Sequence, residues 1–391
     1  MSFRSSRTFA VALVGFAAFT DIVAYAIAIP VLPDLSRRLG ASPTMIGLLF
    51  ASFGVTLVTV SLPAGALSDR TSRKGPIVGG LVALAAATLL FAFATSLPWL
   101  FAARLVQGAA DAVTWVVGFA LIADLYRPDE RGRIAGMVMS ATSVAVMIGP
   151  SIGGWLYEAG GMTLPFTFVT ALAVIGVAGF ILLRVPDTRS DREVVPVAAV
   201  VRTPAVAACA AAVVVLAATL SMYEPILSLH LNVSLGIGPA HIGYVFGVAA
   251  VATAILNPIY GRLADRVGAR RLTMIGLALA GGAVPMLSLI SSYSSAVALY
   301  VFQASMAAVA ITSSLAYMGE AVAQAGLGSF GVGYGLYNVA WGIGLLGGPA
   351  LGGFLYERVG FTRLTLLWAP CVISMAFVLA RSGAARRPEP V

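Results

Sequence analysis

Four ionisable side chains lie inside long apolar stretches of the sequence, namely Asp21, Arg104, Asp111 and Glu224. A charge in the interior of a lipid bilayer is costly, and residues kept there usually serve protons, ions or substrates. Surroundings of low dielectric disfavour the ionised form of a carboxyl group, so an acid there can take up and release a proton. A proton and an organic cation would compete for the same carboxylate. These residues therefore predict an exchange of protons for organic cations.

Two of the acids are placed near the middle of their apolar stretches. Asp21 lies about twelve residues into the first stretch and Asp111 about thirteen into the fourth, close to a membrane midplane at about 1.5 Å per residue. Gln107, Asp111 and Trp115 are spaced i, i+4 and i+8 and share one helix face. A carboxylate flanked by an amide and an indole suits an organic cation. The alternatives are an Asp21 that only bonds its neighbours and a structural ion pair between Asp111 and Arg104.

The other two charges also allow more than one interpretation. Arg104 would be unstable facing lipid, and by itself it could form a structural ion pair or snorkel its head group to the membrane surface. Glu224 precedes Pro225, which frees a carbonyl group and permits a bend. We interpret Glu224 as a second protonatable site or a gate, and the alternative is a solvated acid at the outer edge.

Polar and aromatic residues elsewhere in the apolar stretches extend the predicted substrate site. In the first half, Tyr25 follows Asp21 by one helical turn. The candidates in the second half are Asn257, Gln303, Tyr334, Tyr337, Asn338 and Trp341. For each of these, packing or hydrogen bonding between helices is the alternative.

The composition excludes several classes of protein. Of 391 residues, 59% are apolar and 10% are charged, against roughly 25% charged in an average soluble domain. A soluble enzyme, a disordered chain and a disulfide-rich secreted scaffold are therefore excluded. The apolar residues come in blocks rather than in alternation, which also argues against a membrane barrel. Cys209 and Cys371 have no Cys or His at metal-ligand spacing, so we expect packing roles and no metal site.

Twelve apolar stretches are long enough to cross a bilayer, which takes about 20 helical residues. Their approximate ranges are 8–33, 43–66, 76–95, 98–123, 134–157, 163–183, 205–231, 241–263, 272–292, 295–319, 331–354 and 362–381. Backbone groups must be satisfied within each span, so the predicted fold is an all-α polytopic membrane protein with twelve transmembrane helices in two six-helix bundles.

The longest polar stretch divides the chain into nearly equal halves. We predict an N-terminal bundle at 1–183, a cytoplasmic linker at 184–204 and a C-terminal bundle at 205–391. Arg4 and Arg7 before an apolar run resemble a signal peptide. We expect no cleavage, because the run contains Asp21, continues beyond the nominal site and recurs later in the chain.

The distribution of basic residues predicts the orientation. With the N-terminus in the cytoplasm, 19 of the 24 basic residues fall in inner loops and tails and four in outer loops. Such an excess on one side indicates that side as cytoplasmic. We therefore expect a multi-pass protein of the plasma or inner cell membrane with both termini in the cytoplasm.

The two halves repeat each other. The segment Gly65-Ala-Leu-Ser-Asp69-Arg70 matches Gly261-Arg-Leu-Ala-Asp265-Arg266 at an offset of 196 residues, and Asp124 matches Glu320 at the same offset. The run Gly149-Pro150-x-x-Gly153-Gly154 matches Gly348-Pro349-x-x-Gly352-Gly353 at an offset of 199. Six spans duplicated in one orientation are typical of a transporter with its substrate between two bundles.

These motifs resemble the major facilitator superfamily over essentially the whole chain. Gly65-x-x-x-Asp69-Arg70-x-x-Arg73-Lys74 matches its inner-loop signature, and Arg104-x-x-Gln107-Gly108 is similar to its fourth-span motif. This resemblance implies that Arg104 takes part in the coupling to protons. The Gly149-Pro150 run is similar to the motif of the superfamily's antiporter branches. Asp21 with Pro30-Val-Leu-Pro33 resembles twelve-span drug:proton antiporters, a pattern shared by tetracycline exporters and vesicular amine transporters. Tyr223-Glu224-Pro225 resembles the acidic span of the amine transporters. The second span has no lysine and the tenth no central acid, unlike those transporters.

The loop and glycine motifs are interpreted as conformational rather than as substrate-binding. Opposite charges at an inner helix junction can latch one state and release it in another. Glycine–proline runs allow close helix contact and bending, with plain packing as the alternative. The residues assigned to this role are Gly65, Asp69, Arg70, Arg73, Asp124, Gly149, Pro150, Gly153, Gly154, Gly261, Asp265, Arg266, Gly348 and Pro349.

The energy source is predicted from what the sequence lacks. There is no phosphate-binding G-x-x-x-x-G-K-[S/T] loop, and Lys74 is the only lysine. We expect no enzymatic activity, no cofactor, and a proton gradient that drives export of amphiphilic or cationic organic compounds. The expected partners are a small organic substrate, protons and lipid, with no nucleic acid, and the chain is expected to be a monomer. Import of a small metabolite on the same fold is the alternative, and a receptor that binds without transport is a more distant one.

Overall fold

The computed structural model describes residues 3–70, 72–183, 203–324 and 330–382, and these residues are helical with no strand among them. Two short 3-10 segments, Ile29–Val31 and Val284–Leu289, interrupt the helical order. The helices are α1 (Phe3–Ala26), α2 (Leu32–Leu39), α3 (Pro43–Arg70), α4 (Lys74–Phe93), α5 (Leu97–Leu125), α6 (Pro128–Gly160), α7 (Thr163–Leu182), α8 (Pro204–Leu235), α9 (Pro239–Val267), α10 (Ala269–Ala283), α11 (Tyr293–Gln324) and α12 (Phe330–Ser382).

The length and composition of these helices confirm the predicted class of fold. Within the described ranges, eleven segments are long and apolar enough to cross a membrane. The last of them, Gly335–Arg381, has 47 residues, or about 70 Å of helix, which is twice the thickness of a bilayer core. Gly360 interrupts it with φ 77° and ψ 173°, a conformation that glycine adopts without a steric penalty. The count is therefore consistent with the twelve predicted crossings.

Proline residues explain two departures from the predicted spans. The first span, predicted as one helix, breaks after Ala26 into a 3-10 turn that contains Pro30, and α2 then continues to Leu39. The ninth span likewise ends as α10 at Ala283 and continues as the 3-10 segment that contains Pro285. Proline lacks the N–H that the helical ladder needs, so the regular helix stops there. Of the predicted linker, residues 184–202 lie outside the described part of the chain.

The chain forms two compact units. Unit 1 comprises Met1–Arg192 and Gly236–Gly247, and unit 2 comprises Glu193–Leu235 and Val248–Val391. This division differs from the halves drawn from the sequence, because Gly236–Gly247, which includes the start of α9, belongs to unit 1. The domain boundaries drawn from the sequence stay a prediction.

Each unit has its own packing. In unit 1, α5 packs against α3, α4 and α1, and α1 also packs against α6 and α7. In unit 2, α12 packs against α8, and α10 packs against both α11 and α12. The contact of α1 with α5 is the one that positions the candidate site, because the two helices carry Asp21 and Asp111.

Candidate functional site

Two buried carboxyl groups meet where α1 packs on α5. Asp21 is 3% exposed and Asp111 is 8% exposed. The carboxyl groups interact electrostatically, and the side chain of Trp115 also acts on Asp111. Like charges in surroundings of low dielectric cannot both ionise without a large cost. The structure thus brings together two acids that lie 90 residues apart in the sequence, in an arrangement suited to holding a proton.

Thr114 links this acid pair to the backbone of α5. Its hydroxyl group donates a hydrogen bond to Asp21 Oδ2 and lies 3.0 Å from the carbonyl oxygen of Ala110 and 3.1 Å from that of Asp111. Asp21 Oδ1 is buried and accepts no hydrogen bond from the described residues. A buried acceptor of this kind costs free energy unless it binds a proton or a cation.

Arg104 lies fully buried among aromatic rings from three helices. Its guanidinium carbon is 4.3 Å from the ring centroid of Phe50, 5.0 Å from that of Phe91 and 5.6 Å from that of Tyr25. Its Nη1 atom donates a hydrogen bond of 3.4 Å to Gln107 Oε1. The faces of aromatic rings attract cations, and the attraction is stronger where water is excluded. The prediction that Arg104 avoids lipid is confirmed by its complete burial.

Gln107 extends the polar cluster to α4. Its Nε2 atom donates a hydrogen bond of 3.2 Å to Thr88 Oγ1, and Gln107 is 2% exposed. We call Asp21, Arg104, Gln107, Asp111 and Thr114 the acid–arginine cluster.

The two predicted aromatic residues of unit 1 flank the cluster. Tyr25 is half-buried, and its ring packs against Phe50 and Phe53 with centroid separations of 5.5 and 5.4 Å. Trp115 is half-buried and stacks on Phe119 at 5.7 Å. Its Nε1 atom is buried and makes no hydrogen bond of normal geometry with the described residues, although the indole lies close enough to act on Asp111. Both rings could support an organic cation beside the acids.

The candidates of unit 2 are more scattered. Glu224 is half-buried on α8 and interacts electrostatically with Tyr300. Asn257 Oδ1 accepts a hydrogen bond of 3.0 Å from Thr312. Gln303 is 1% exposed, and its Nε2 atom has no hydrogen-bond partner among the described residues.

The last predicted group of unit 2 lies on α12. The Tyr337 hydroxyl is 3.3 Å from Ser314 Oγ, and the Tyr337 ring stacks with Trp341 at 6.1 Å. Asn338 is exposed, and the side chain of Tyr334 lies outside the described part of the chain. The hydrogen bonds of Asn257 and Tyr337 join helices of unit 2, which is the packing role that the sequence left open.

Several functional contacts were missed at the level of sequence. They involve Phe50, Phe91, Thr88 and Thr114. Thr114 follows Asp111 by three residues and so lies one turn away on α5, a signal that could have been used. Phe50, Phe91 and Thr88 come from α3 and α4, and no spacing in the sequence connects them to Arg104.

The ends of the two units that the sequence predicts as cytoplasmic are called here the inner ends, and the opposite ends are called the outer ends. The inner end of unit 1 contains a buried ion pair. Arg73 Nε lies 2.7 Å from Asp124 Oδ2, with side-chain exposures of 8% and 1%. This pair joins the segment before α4 to the end of α5. The conformational role assigned to the two residues stays a prediction. The side chains of Asp69 and Arg70 lie outside the described part of the chain, whereas Asp265 and Arg266 are exposed in unit 2.

A second feature of the inner ends is repeated in both units. Lys74 Nζ donates to the carbonyl oxygen of Leu183 at 3.0 Å, and Arg270 Nη2 donates to that of Leu379 at 2.5 Å. The two donors, Lys74 and Arg270, are 196 residues apart, and so are the residues that supply the acceptors, Leu183 and Leu379. A cation at the carbonyl end of a helix satisfies free acceptors and the helix dipole. The repeat detected in the sequence is therefore a repeat of tertiary contacts.

The glycine–proline runs occupy equivalent places in the two units. A Cβ atom at Gly149 would lie 2.9 Å from Cβ of Ala26 on α1, and one at Gly348 would overlap the carbonyl oxygen of Ala218 on α8. Gly153 and Gly352 continue these contacts against Ile27 and Met222. The glycines let each pair of helices approach closely. Gly65 and Gly261 are half-buried at the inner ends of α3 and α9.

The outer part of α6 also contacts the start of α9 within unit 1. Gly154 faces the carbonyl group of Pro239, and Ser151 Oγ donates a hydrogen bond of 3.2 Å to the carbonyl oxygen of Gly243. Glu158 Oε1 accepts a hydrogen bond of 3.0 Å from the backbone N–H of Ala240. An acid at the first turn of a helix satisfies a free donor and the helix dipole.

Among the described residues, no group of three or more His, Cys, Asp or Glu side chains could hold a metal ion. The acid–arginine cluster contains two acids and one arginine.

Comparison with known proteins gives a family match over most of the chain. The family model described as Major Facilitator Superfamily matches residues 14–216 and 209–391. MFS-type transporter SLC18B1 of Homo sapiens is 26% identical over 371 residues, covering 89% of this chain and 81% of the relative. The synaptic vesicular amine transporter of Homo sapiens is 25% identical over 335 residues, covering 85% and 65%.

A solved structure supports the fold independently of sequence. The crystal structure of a bacterial homologue of the human lysosomal transporter Spinster, in an inward-facing and occupied conformation, aligns with a TM-score of 0.82. The alignment covers 98% of this chain and 99% of that one at 15% identity. At this identity the likeness is one of fold.

Proposed function

Because the chain belongs to the major facilitator superfamily, we propose that it is a proton-coupled secondary active transporter that exports amphiphilic or cationic organic compounds by alternating access. As a multi-pass membrane transporter it acts on a small molecule. The finer proposal adds the class of substrate, the direction of transport and the coupling to protons.

The observation that carries this proposal is the buried pair of Asp21 and Asp111 on adjacent helices of unit 1. Inside a membrane, an acid pair that holds one proton has a lower free energy than a pair in which both carboxyl groups are ionised. An organic cation that reaches the pair replaces that proton, and the free Oδ1 atom of Asp21 offers it an acceptor. The rings of Tyr25 and Trp115 supply cation–π attraction. One proton moves in for each cation that moves out.

The class of substrate is supported by a relative. The synaptic vesicular amine transporter is named for amines, which are cationic in water at neutral pH. The surroundings of the acid pair point to the same class, because Arg104 is already held by aromatic rings and leaves the two acids to receive a cation.

The remaining parts of the proposal concern setting and energy. The excess of basic residues in alternate loops supports a plasma or inner cell membrane location with both termini in the cytoplasm. The proton gradient supplies the energy with no bound cofactor, and the chain works as a monomer. The Arg73–Asp124 pair and the glycine–proline contacts serve the change between states.

The test is transport of tetraphenylphosphonium, a permanent organic cation, by the full chain in proteoliposomes under an imposed pH gradient. We expect uptake of the cation against its gradient, driven by efflux of protons, and loss of this dependence in Asp21→Asn. Asp34→Asn is the matched control, since Asp34 is partly exposed in ion pairs with Arg37 and Arg38. A variant Asp21→Asn whose transport depends undiminished on the gradient would show that Asp21 does not couple. Transport in the same direction as the protons would indicate an importer.

A further inference from the structure

The acid pair of Asp21 and Asp111 can hold a shared proton on either of its two carboxyl groups. Asp21 and Asp111 are both buried and interact with each other, and a single proton suffices to relieve their repulsion. Which carboxyl group holds the proton depends on which anion the surroundings stabilise better. The answer separates the group that attracts a cation from the group that releases a proton.

The hydroxyl group of Thr114 is hydrogen-bonded to the side chain of Asp21 but not to that of Asp111. This hydroxyl group has one proton to donate, and it faces Asp21 Oδ2, the Ala110 carbonyl and the Asp111 carbonyl. A hydrogen bond to an ionised carboxylate is about twice as strong as one to a neutral acceptor. Donation to Asp21 is therefore favoured when Asp21 is the anion. The side-chain carboxyl group of Asp111 receives no hydrogen bond from Thr114. Its neighbouring donor is the Trp115 indole, which acts on Asp111 but makes no hydrogen bond of normal geometry with the described residues, so it stabilises an anion less than the Thr114 hydroxyl does.

We propose that Thr114 is a positioning residue that places the negative charge on Asp21 and leaves the shared proton on Asp111. Asp21 is then the group that meets an organic cation, and Asp111 is the group that gives up its proton when the cation arrives. One positive charge enters the cluster and one proton leaves it, so the net charge is unchanged. This assignment deepens the proposed function and rests on it for its meaning in transport.

Thr114 is held firmly enough to make this distinction. It is 4% exposed, and α4 approaches it closely, since a Cβ atom at Gly80 would lie 3.1 Å from Thr114 Cγ2. Its χ1 rotamer is also restricted by the β-branched side chain. The hydroxyl group is therefore fixed between the two helices that carry the acids.

The neighbouring helices carry few other groups that titrate near the pair. Arg104 and Tyr25 lie in the same region of α5 and α1, and α7 has no ionisable residue. The other ionisable residues of the packed elements lie toward helix ends: Arg4 and Arg7 on α1, Asp69 and Arg70 on α3, Lys74 on α4, Asp124 on α5, and Asp129, Glu130, Arg131, Arg133, Tyr157 and Glu158 on α6. The distribution of the proton thus depends mainly on Asp21, Asp111, Arg104 and Thr114.

The test is infrared titration of the protonated carboxyl absorption in the purified full chain, which requires no substrate. We expect one protonated carboxyl group at neutral pH in the unchanged protein. Asp111→Asn should abolish this band at neutral pH. Asp21→Asn should retain a band that belongs to Asp111, with a midpoint at lower pH because the neighbouring anion is gone.

Substitution of Thr114 tests the assignment directly. In Thr114→Val, the midpoint at which the second carboxyl group becomes protonated should move up by about one to two pH units, the size expected for one hydrogen bond to a charged group. Thr114→Ser should restore the original midpoint because it restores the hydroxyl group. Thr20→Val is the matched control: Thr20 is next to Asp21, fully buried, and bonded to the Phe16 carbonyl in its own helix. It should titrate like the unchanged protein.

Three results would overturn the assignment. The first is a band that survives in Asp111→Asn and vanishes in Asp21→Asn. The second is a Thr114→Val protein that titrates like the unchanged one, and the third is the lack of a protonated carboxyl group at neutral pH. Failure of the proposed function is read separately, from tetraphenylphosphonium transport: a chain that meets all the infrared expectations and moves no cation keeps the assignment and loses the function.

Discussion

Unit 1 buries three ionisable side chains where the repeat places uncharged ones in unit 2. Asp21, Arg104 and Asp111 are buried in unit 1, and the residues 196 positions later are Ala217, Tyr300 and Ala307. The helix-end contacts of Lys74 and Arg270, in contrast, are the same in both units. The repeated frame therefore does not require charges in its core. Because buried charges are costly, we expect transport to depend more on the core of unit 1 than on that of unit 2.

The inner ends differ in a similar way. Arg73 and Asp124 form a buried ion pair in unit 1, and their counterparts in unit 2 are Ala269 and Glu320. Glu320 is exposed and lines a cavity of about 330 Å³ with Ala269 and Arg270. At this position the acid of unit 1, Asp124, lies in a buried ion pair, whereas the acid of unit 2, Glu320, is exposed. Four predictions test the contrast between the units: the first concerns the rate of transport, and the other three concern stability, from the largest expected effect to the smallest.

Loss of an acid should matter more in unit 1 than in unit 2. Asp111→Asn should lower gradient-driven tetraphenylphosphonium transport by about 100-fold, since about 2.7 kcal/mol of charge-dependent free energy is lost from the coupled step. Glu224→Gln should lower it by less than about tenfold, because Glu224 is only half-buried. Initial rates in proteoliposomes with equal protein content measure both. Equal losses in the two variants would place coupling in both units.

Breaking the inner ion pair should destabilise the protein, and its counterpart should not. Arg73→Met leaves the buried Asp124 carboxylate uncompensated and should cost about 3–5 kcal/mol of unfolding free energy. Glu320→Gln changes an exposed acid and should cost less than about 0.5 kcal/mol. Denaturant unfolding in detergent provides the comparison. A small effect of Arg73→Met would mean that the pair contributes to switching alone.

The glycine contacts should be less tolerant in unit 2. Gly348→Ala drives a Cβ atom into the backbone of α8, whereas Gly149→Ala brings one close to the Ala26 methyl group and leaves the backbone of α1 at an ordinary contact distance of 3.8 Å. We expect losses of about 1–3 kcal/mol for Gly348→Ala and less for Gly149→Ala. Gly347→Ala is the control because a Cβ atom there has open space. Thermal unfolding in detergent measures the stability of the three variants. A larger loss of stability in Gly149→Ala than in Gly348→Ala would show that the helix contact of unit 1 is the closer one.

Replacement of the two buried glutamines by methionine should affect the free energy of unfolding differently. Gln107 bonds Thr88 and Arg104, so Gln107→Met should cost about 1–3 kcal/mol. Gln303, its counterpart at 196 residues, has a buried Nε2 atom with no hydrogen-bond partner among the described residues. Gln303→Met removes that unsatisfied donor and should leave the unfolding free energy unchanged or slightly higher. A clear destabilisation by Gln303→Met would show that its amide is bonded in the membrane-embedded protein.

The sequence was sufficient for the helical class and for the repeat, because both follow from local patterns. Long apolar blocks can only be helices in lipid, and matched motifs such as those at Asp69 and Asp265 are visible in the chain itself. The helix breaks near Pro30 and Pro285 were missed because the apolar blocks continue through them. The residues that surround the site could not be predicted from the sequence, since Phe50 and Phe91 meet Arg104 only through the packing of helices.

What the sequence determined by itself was which residues are costly to bury: Asp21, Arg104 and Asp111 were identified from their place in apolar stretches alone. The tertiary structure decided which of them meet. Asp21 and Asp111 come together because α1 packs on α5, and Thr114 then bonds only one of the two carboxyl groups. Cost of burial depends on the type of residue and its local surroundings, whereas pairing depends on the register of two helices distant in sequence, which no local pattern encodes.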